Sequence, residues 1–349
     1  TGNRMDRTIK FTAGLILVCI VGFLLIVGRN LLIPIVIAIF IWNLLNTLNT
    51  ALHKIPVVGK NLPNGLSWLL SLIIVCGFVW ILMEIIGNNV NDVMSVAPRY
   101  QANLASILSR LENHYHIKSL SSFDVLLKNV DVQAILLSIY SVFTTLMSSG
   151  LLIGLYVVFL FVEQLYFKQK LNLLFPQREH RQLVDRITTQ IINDTQIYLG
   201  LKTLMGLITA VSSWMIMSWI GLDFAEFWAL LIFFLNYIPN IGAIVATAFP
   251  AALALIQFQN WVPFAIMTSG LVAVQFIIGN LIEPRYLGRS LNLSPLVILF
   301  ALSLWGMIWG ILGMFLSVPI TVIMMIVFSH FEPTRSFAIL LSQDGKIKY

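Results

Sequence analysis

Long apolar runs separated by short polar stretches dominate the pattern of the chain. A membrane-spanning helix needs about 20 mostly apolar residues, each adding about 1.5 Å of length. By that criterion six runs predict single spans, at residues 11–28, 31–52, 66–87, 146–167, 201–220 and 261–282. The first run lacks a small-residue cleavage site of the A-x-A type, so we expect a retained span rather than a removed signal.

Two stretches between the runs show the spacing of amphipathic helices. In residues 88–145 apolar residues recur at helical spacing, as Leu104 and Ile107 do, among balanced acidic and basic residues. This stretch predicts a small helical subdomain outside the bilayer, with a plain connector as the alternative. The basic stretch after the fourth run, from Lys168 to Arg186, carries an apolar stripe and predicts an interfacial helix on the cytoplasmic face.

Two apolar runs, 227–257 and 294–331, exceed the length of one span and contain residues that disfavour a helix. A proline and a glycine interrupt the first run within 236–242, and three glycines occur within 306–313 of the second run. We therefore expect each of these runs to be broken near its middle.

The distribution of basic residues decides how often these two runs cross. Lys and Arg concentrate in cytoplasmic loops. Arg285 and Arg289 fall on the cytoplasmic side only if the run 227–257 turns back on itself. The same reasoning applied to 294–331 returns the basic C-terminal tail to that side. We predict two broken helical hairpins, re-entrant or fully spanning, with the N- and C-termini both cytoplasmic.

Composition excludes several classes of protein. Hydrophobic residues make up 58% of the chain and charged residues 10%, whereas a soluble domain carries about 25% charged residues. A water-soluble enzyme and an intrinsically disordered chain are therefore excluded, and a lipid bilayer is the expected partner of the apolar surface. The net charge of +6 does not indicate nucleic-acid binding, because the aromatic residues lie inside the apolar runs.

No motif for covalent chemistry is present in the sequence. The P-loop pattern G-x-x-x-x-G-K-[ST], the zinc-protease pattern H-E-x-x-H and the nucleophile pattern G-x-S-x-G are all absent. Cys19 and Cys76 lie in apolar runs, and we interpret His114 and His116 as a solvated pair rather than as metal ligands. We therefore predict no enzyme activity, no catalytic residue, no cofactor and no metal site.

The two breaks are the best candidates for a binding site. Irregular backbone at membrane depth is tolerated only against protein or a water-filled cavity, and broken helices line the substrate sites of many transporters. Uncharged polar side chains and bare glycine backbone suit a hydroxyl-rich neutral solute. The predicted substrate-binding residues are Asn236, Pro239, Asn240, Gly242, Gln275, Asn280, Gly306 and Gly310. The predicted gating or coupling residues are Lys202, Glu283 and Arg285.

Structural alternatives exist for several of these residues. Lys202 could extend its ammonium to the membrane interface. Glu283 and Arg285 could pair within a polar loop at 283–289. Gly306 and Gly310 form a G-x-x-x-G pattern that also suits a close helix crossing, although the length of the run favours a hairpin tip.

The sequence predicts five consecutive parts. They are scaffold spans one to three in 1–87, the extracytoplasmic subdomain in 88–145, the fourth span with the interfacial helix in 146–200, the transport region with both hairpins in 201–331, and a cytoplasmic tail in 332–349.

Three motifs carry a resemblance to a known family. They are Leu235-Asn236-Tyr237-Ile238-Pro239-Asn240-Ile241-Gly242, Gly279-Asn280-Leu281-Ile282-Glu283-Pro284-Arg285, and Leu293-Ser294-Pro295-Leu296-Val297 followed by Trp305-Gly306 through Pro319. Together they resemble the signature of the autoinducer-2 exporter family. The resemblance implies a bacterial inner-membrane protein that assembles as a homo-oligomer, described as a pentamer for family members. It also implies export of autoinducer-2, a furanone-type sugar derivative, whereas other members are assigned sodium(lithium)/proton antiport.

The sequence thus predicts an all-α polytopic membrane protein that works as a secondary transporter. We expect the two hairpins to meet near mid-membrane and to export a small polar signal molecule by alternating exposure. The alternatives are a sodium(lithium)/proton antiporter, with Glu283 as the exchanging carboxylate, and a non-transporting oligomeric scaffold.

Overall fold

The computed structural model describes residues 2–54, 63–115, 144, 148–287 and 292–345, and every regular element within these ranges is helical. The helices are α1 (Gly2–Val27), α2 (Arg29–Lys54), α3 (Asn64–Tyr115), α4 (Gly150–Leu174), α5 (Arg178–Ile220), α6 (Ala225–Leu235), α7 (Ile241–Phe258), α8 (Trp261–Phe276), a π-helix (Ile277–Ile282), α9 (Glu283–Leu287), α10 (Pro295–Trp309), α11 (Ile311–Ser329), a short 3-10 helix (Glu332–Thr334) and α12 (Arg335–Leu341). The predicted all-α class is confirmed.

Seven helical stretches in the described residues are long and apolar enough to cross a membrane. They are Arg29–Lys54, Gly65–Gly87, Gly150–Leu174, Arg178–Ile220, Ile241–Phe258, Trp261–Tyr286 and Ile311–Ser329. Large apolar side chains on them face outward, as Trp80 (68% exposed) and Leu151 (89% exposed) do. Exposure of this apolar surface to water is unfavourable, whereas its contact with lipid is favourable. The chain is therefore a polytopic membrane protein.

Two predicted boundaries fall inside continuous helices. The 52-residue helix α3 runs through residue 88, and the 43-residue helix α5 runs through residue 200. The apolar span and the more polar stretch beside it thus share one helix in both cases. Half of the predicted extracytoplasmic subdomain lies outside the described residues, and the five-part organisation stays a prediction.

The described residues divide into two compact units. The first takes its residues from Thr1–Asn43, Ser149–Thr195 and Asn292–Tyr349, and the second takes its residues from Leu44–Ser148 and Gln196–Leu291. Each unit contains one of the two predicted hairpins.

In the second unit α6 and α7 form the first hairpin, with residues 236–240 as its tip. Gly242 makes the tight turn possible, because a Cβ atom there would lie 1.8 Å from the carbonyl oxygen of Leu235. Helix α6 has 11 residues, which corresponds to about 17 Å and is too short to cross the hydrocarbon core. Helices α5, α6, α7 and α8 share one apolar core around Trp228, which includes Met217 and Met267.

The outer half of α3 packs on the open end of this hairpin. Tyr100 donates a hydrogen bond to Asp223 at 2.7 Å, and the amide of Asn103 donates to the carbonyl of Ile256 at 3.0 Å. The side chain of Gln257 bonds both Gly221 and the backbone of Asp223. The loop before α6 and the end of α7 are therefore fixed to each other and to α3.

In the first unit α10 and α11 form the second hairpin, which turns at Gly310. Gly310 has a φ of 65°, which favours glycine. A Cβ atom on Gly313 would lie 1.8 Å from the carbonyl oxygen of Trp305. Trp309 donates a hydrogen bond to the carbonyl of Leu25 at 3.0 Å, which ties this hairpin to α1. The run therefore turns back at Gly310, whereas Gly306 packs closely against α11, where its Cβ would lie 2.8 Å from the side chain of Met314. The ligand contact predicted for this tip stays a prediction.

The polar loop predicted at 283–289 is wrong in its described part, because Glu283–Leu287 is the helix α9. Pro284 suggested a break, yet the helix continues through it, and the turn that precedes it is a π turn. The preceding π-helix joins α9 to α8 without a loop.

Candidate functional site

A buried ion pair lies beside the tip of the first hairpin. The ammonium of Lys202 on α5 is 2.5 Å from a carboxylate oxygen of Glu283 on α9, and the two side chains are 9% and 13% exposed. Charged side chains are seldom buried to this degree unless they are paired. Lys202 is therefore held inside the protein by Glu283, and the gating or coupling role predicted for both residues stays a prediction.

Lys202 also contacts the hairpin tip itself. Its ammonium donates a hydrogen bond to the backbone carbonyl of Asn236 at 3.2 Å. Asn236 caps the C-terminus of α6, where carbonyl groups lack partners within the helix and the helix dipole is negative. A cation at this position is favourable for both reasons. One lysine thus connects α5, the tip of α6 and α9.

A second contact between α5 and the tip is formed by two hydroxyl groups. The oxygens of Thr203 and Tyr237 lie 2.7 Å apart, and Thr203 donates to the carbonyl of Leu199 at 2.7 Å. Because Thr203 has one hydroxyl hydrogen, Tyr237 is the donor to Thr203. Tyr237 is 2% exposed, so this bond is shielded from water and helps to fix the tip against α5.

Several buried polar atoms on α5 to α8 have no hydrogen-bond partner within the described part of the chain, and three of them bear on the predicted site. They are the hydroxyl of Tyr198, the amide nitrogen of Asn236 and the amide nitrogen of Gln275. Tyr198 lies one helical turn before Lys202 and within electrostatic reach of Glu283 and Tyr237. A buried donor without a partner costs about 1–3 kcal/mol. These groups are therefore available to a polar ligand that enters the site.

The other predicted site residues occupy different positions. Asn240 and Asn280 are exposed, Pro239 is half-buried in the turn, and Gly242 is buried. Arg285 is exposed, and Glu283 pairs with Lys202 rather than with this arginine. Gly306 and Gly310 belong to the second hairpin, in the first unit, so the predicted meeting of the two hairpins stays a prediction.

Three residues of this site were not predicted from the sequence, namely Tyr198, Thr203 and Tyr237. Tyr198 and Lys202 are four residues apart, which places them on one face of a helix. That spacing was visible in the sequence and could have identified Tyr198. Tyr237 lies within the motif at 235–242, but nothing in the motif indicated which of its residues would be buried.

Polar groups of α5 and α9 thus meet at the tip of a short hairpin, an arrangement that also occurs at the substrate sites of secondary transporters. A sequence profile described as AI-2E family transporter matches residues 14–332.

The chain belongs to the AI-2E transporter family.

Relatives within the family align along nearly the whole chain. The AI-2 transport protein TqsA of Escherichia coli K12 is 31% identical over 98% of this chain and 100% of its own length. A protein of Haemophilus influenzae is 26% identical over 92% of both chains, and YrrI of Bacillus subtilis is 24% identical over 89% of both chains. The AI-2E family assignment supports a role in membrane transport.

Proposed function

We propose that this AI-2E family protein is a secondary transporter that exports a small, uncharged, polar signal molecule of the autoinducer-2 type. The observation that carries the proposal is the pair of unsatisfied donors, on Asn236 and Tyr198, beside the buried Lys202–Glu283 pair. Lys202 and Glu283 neutralise each other, so the site favours a neutral solute over an ion. A solute rich in hydroxyl groups would satisfy the free donors.

In this proposal the hairpin tip alternates between two positions. Lys202 holds the tip in the position seen here through its hydrogen bond to Asn236. Exchange of that bond for contacts with the solute would release the tip and expose the site to the other side of the membrane. Gln275 and the other predicted residues of the second unit, Pro239, Asn240, Gly242 and Asn280, would line the path, and Arg285 would act at its cytoplasmic end. Gly306 and Gly310 are proposed as binding residues of the second hairpin, within the first unit.

The cellular setting belongs to the same proposal and rests on the family resemblance. We place the protein in the bacterial inner membrane with both termini cytoplasmic, as a homopentamer, and we propose no enzyme activity for it. The AI-2 named for the Escherichia coli relative supports the substrate class.

Efflux from proteoliposomes tests the proposal. Purified protein in liposomes loaded with autoinducer-2 is expected to give saturable efflux, and Asn236→Ala and Tyr198→Phe are expected to reduce it. The matched controls are Asn172→Ala and Tyr166→Phe, because both residues are exposed on α4. Absence of saturable efflux from the unmodified protein, or full efflux from both site variants, would overturn the proposal.

Sodium(lithium)/proton antiport is a second candidate, favoured by the burial of Glu283. A carboxylate at membrane depth can exchange a proton for a cation. A pH-sensitive dye inside the liposomes should then respond to added sodium or lithium, and Glu283→Gln should abolish the response. Glu163→Gln is the control, because the Glu163 side chain is 51% exposed. Absence of saturable flux for every solute and ion tested would favour the alternative of a non-transporting scaffold.

A further inference from the structure

The π-helix Ile277–Ile282 changes which residue of the α8–α9 helix faces the protein interior. The buried residues of this helix are Met267, Leu271 and Ile278, which follow one another at spacings of four and seven residues. An α-helix would continue this face four residues further, at Ile282. The residue that pairs with Lys202 is Glu283 instead.

The hydrogen bonding of the π-helix accounts for the difference. The backbone N–H of Glu283 donates to the carbonyl of Ile278, five residues earlier. An α-helical turn closes this bond over four residues, so the π turn contains one extra residue. The extra residue rotates Glu283 into the position on the buried face that Ile282 would otherwise occupy.

Pro284 explains why the helix adopts the wider turn here. In a regular α-helix the ring of Pro284 would clash with the carbonyl of the residue four positions earlier, Asn280. The wider turn removes this clash, and Pro284 then lies in the first turn of α9. Around it, Ile277 and Leu281 are 47% and 46% exposed, while Ile278 is 5% exposed. Packing therefore holds the π turn mainly through Ile278.

We propose that the π-helix and Pro284 are positioning elements that present Glu283, rather than Ile282, to Lys202. Without the extra residue the ammonium of Lys202 would meet an isoleucine and would lie buried without a counter-charge. The hairpin tip would then lose the pair that orients its lysine. The consequence for flux rests on the proposed transport function, whereas the geometric part does not.

Cross-linking in membranes tests the geometry in the full chain. Cys19 and Cys76 are first replaced by serine, and then Lys202→Cys is combined with either Glu283→Cys or Ile282→Cys. A short thiol-reactive cross-linker should join 202 to 283 and should fail to join 202 to 282. Equal cross-linking of the two pairs, or preferential cross-linking of 282, would overturn the proposal. The Lys202→Cys variant with Ile282→Cys also carries Glu283→Gln, so neither pair of cysteines leaves a buried charge without a partner.

A second arm tests the role of Pro284. Pro284→Ala permits an α-helical turn, so cross-linking should shift from 283 to 282 and saturable flux should be lost. Exchange of the two neighbours in that background, by Ile282→Glu with Glu283→Ile, should restore flux, whereas the same exchange with Pro284 present should abolish it. If Pro284 only stabilised the fold, this exchange of residues 282 and 283 would not restore flux to the Pro284→Ala variant. If Pro284→Ala keeps the cross-link at 283, the proposal is wrong.

The outcomes separate this inference from the proposed function. A protein that shows the 283 cross-link but transports neither solute nor cation retains the positioning inference and loses the transport proposal. A protein that transports normally with Ile282 against Lys202 retains the transport proposal and loses the positioning inference.

Discussion

The ammonium of Lys202 lies 2.5 Å from the carboxylate of Glu283, with both side chains nearly removed from solvent. Removal of two charges from water costs several kcal/mol each, and their attraction repays this cost only while both are present. The hydrogen bond from Lys202 to Asn236 adds the hairpin tip to the same arrangement. The packing of α5, the hairpin tip and α9, which are distant in the sequence, therefore depends on one pair of charges.

Removal of one member of this pair should destabilise the protein more than removal of both. Lys202→Met or Glu283→Leu alone leaves a buried charge without a partner, which costs about 3–5 kcal/mol. The double variant Lys202→Met with Glu283→Leu should recover most of this loss but should not transport. Unfolding in detergent by denaturant measures the stability, and the proteoliposome assay measures the flux.

The pair between Lys170 and Glu163 provides the control for this prediction. Its atoms are also 2.5 Å apart, but the side chains are 55% and 51% exposed. Exposed pairs contribute about 0–1 kcal/mol, so Lys170→Met should have little effect. Equal effects of the Lys170 and Lys202 variants would show that burial of the Lys202 pair has no energetic consequence.

Local sequence signals predicted the spans and the two hairpins. Apolar length located the helices, as the agreement of run 66–87 with Gly65–Gly87 shows. Glycine and proline located the turns. The backbone at Gly242 leaves no room for a side chain, and the backbone at Gly310 has a positive φ, which favours glycine. These signals act within a few residues, and a single sequence contains them.

Long-range relationships were not predictable in the same way. Arg285 was a plausible partner of Glu283 because it is two residues away, yet the partner is Lys202 on another helix. A partner from a distant segment depends on helix packing, which hydropathy does not encode. The π turn was also hidden, because Pro284 indicates a helix end as readily as a wider turn.

Substitution of the tip glycines should disrupt the hairpins. An alanine at Gly242 or Gly313 would place Cβ 1.8 Å from a backbone carbonyl oxygen, and backbone cannot move aside as a side chain can. We expect Gly242→Ala and Gly313→Ala each to cost at least about 1–3 kcal/mol, the usual range for overpacking. Denaturant unfolding of each variant in detergent checks the magnitude.

A helix-interior glycine with open space around it is the control for these variants. A Cβ atom on Gly154 of α4 would meet no atom within 4 Å, so Gly154→Ala should stabilise the helix by about 0.5–1 kcal/mol through backbone entropy. If Gly242→Ala were as stable as Gly154→Ala, the tight turn described for the first hairpin would be incorrect.

The bond from Tyr100 to Asp223 predicts a specific dependence of stability on pH. Tyr100 lies in α3 beyond the spanning stretch Gly65–Gly87 and donates to the carboxylate at 2.7 Å. Burial raises the pKa of Tyr100 above its usual value, and the hydrogen bond to Asp223 raises it further. Its protonated form is therefore favoured in the folded state. The stabilisation is fully present below about pH 10, the unfolded pKa of tyrosine, and is lost as the pH rises through the folded pKa.

Tyr100→Phe should thus lower the free energy of unfolding by about 1.5–3 kcal/mol, the range for a hydrogen bond to a charged group. The difference between the unmodified protein and this variant should stay constant from about pH 6 to 9 and should shrink above about pH 10. Tyr166→Phe, at a residue that is 52% exposed, corrects for the loss of a hydroxyl alone. A difference that grew with rising pH would mean that the tyrosine is bound as a phenolate, and the hydrogen bond assigned to Tyr100 would then be wrong.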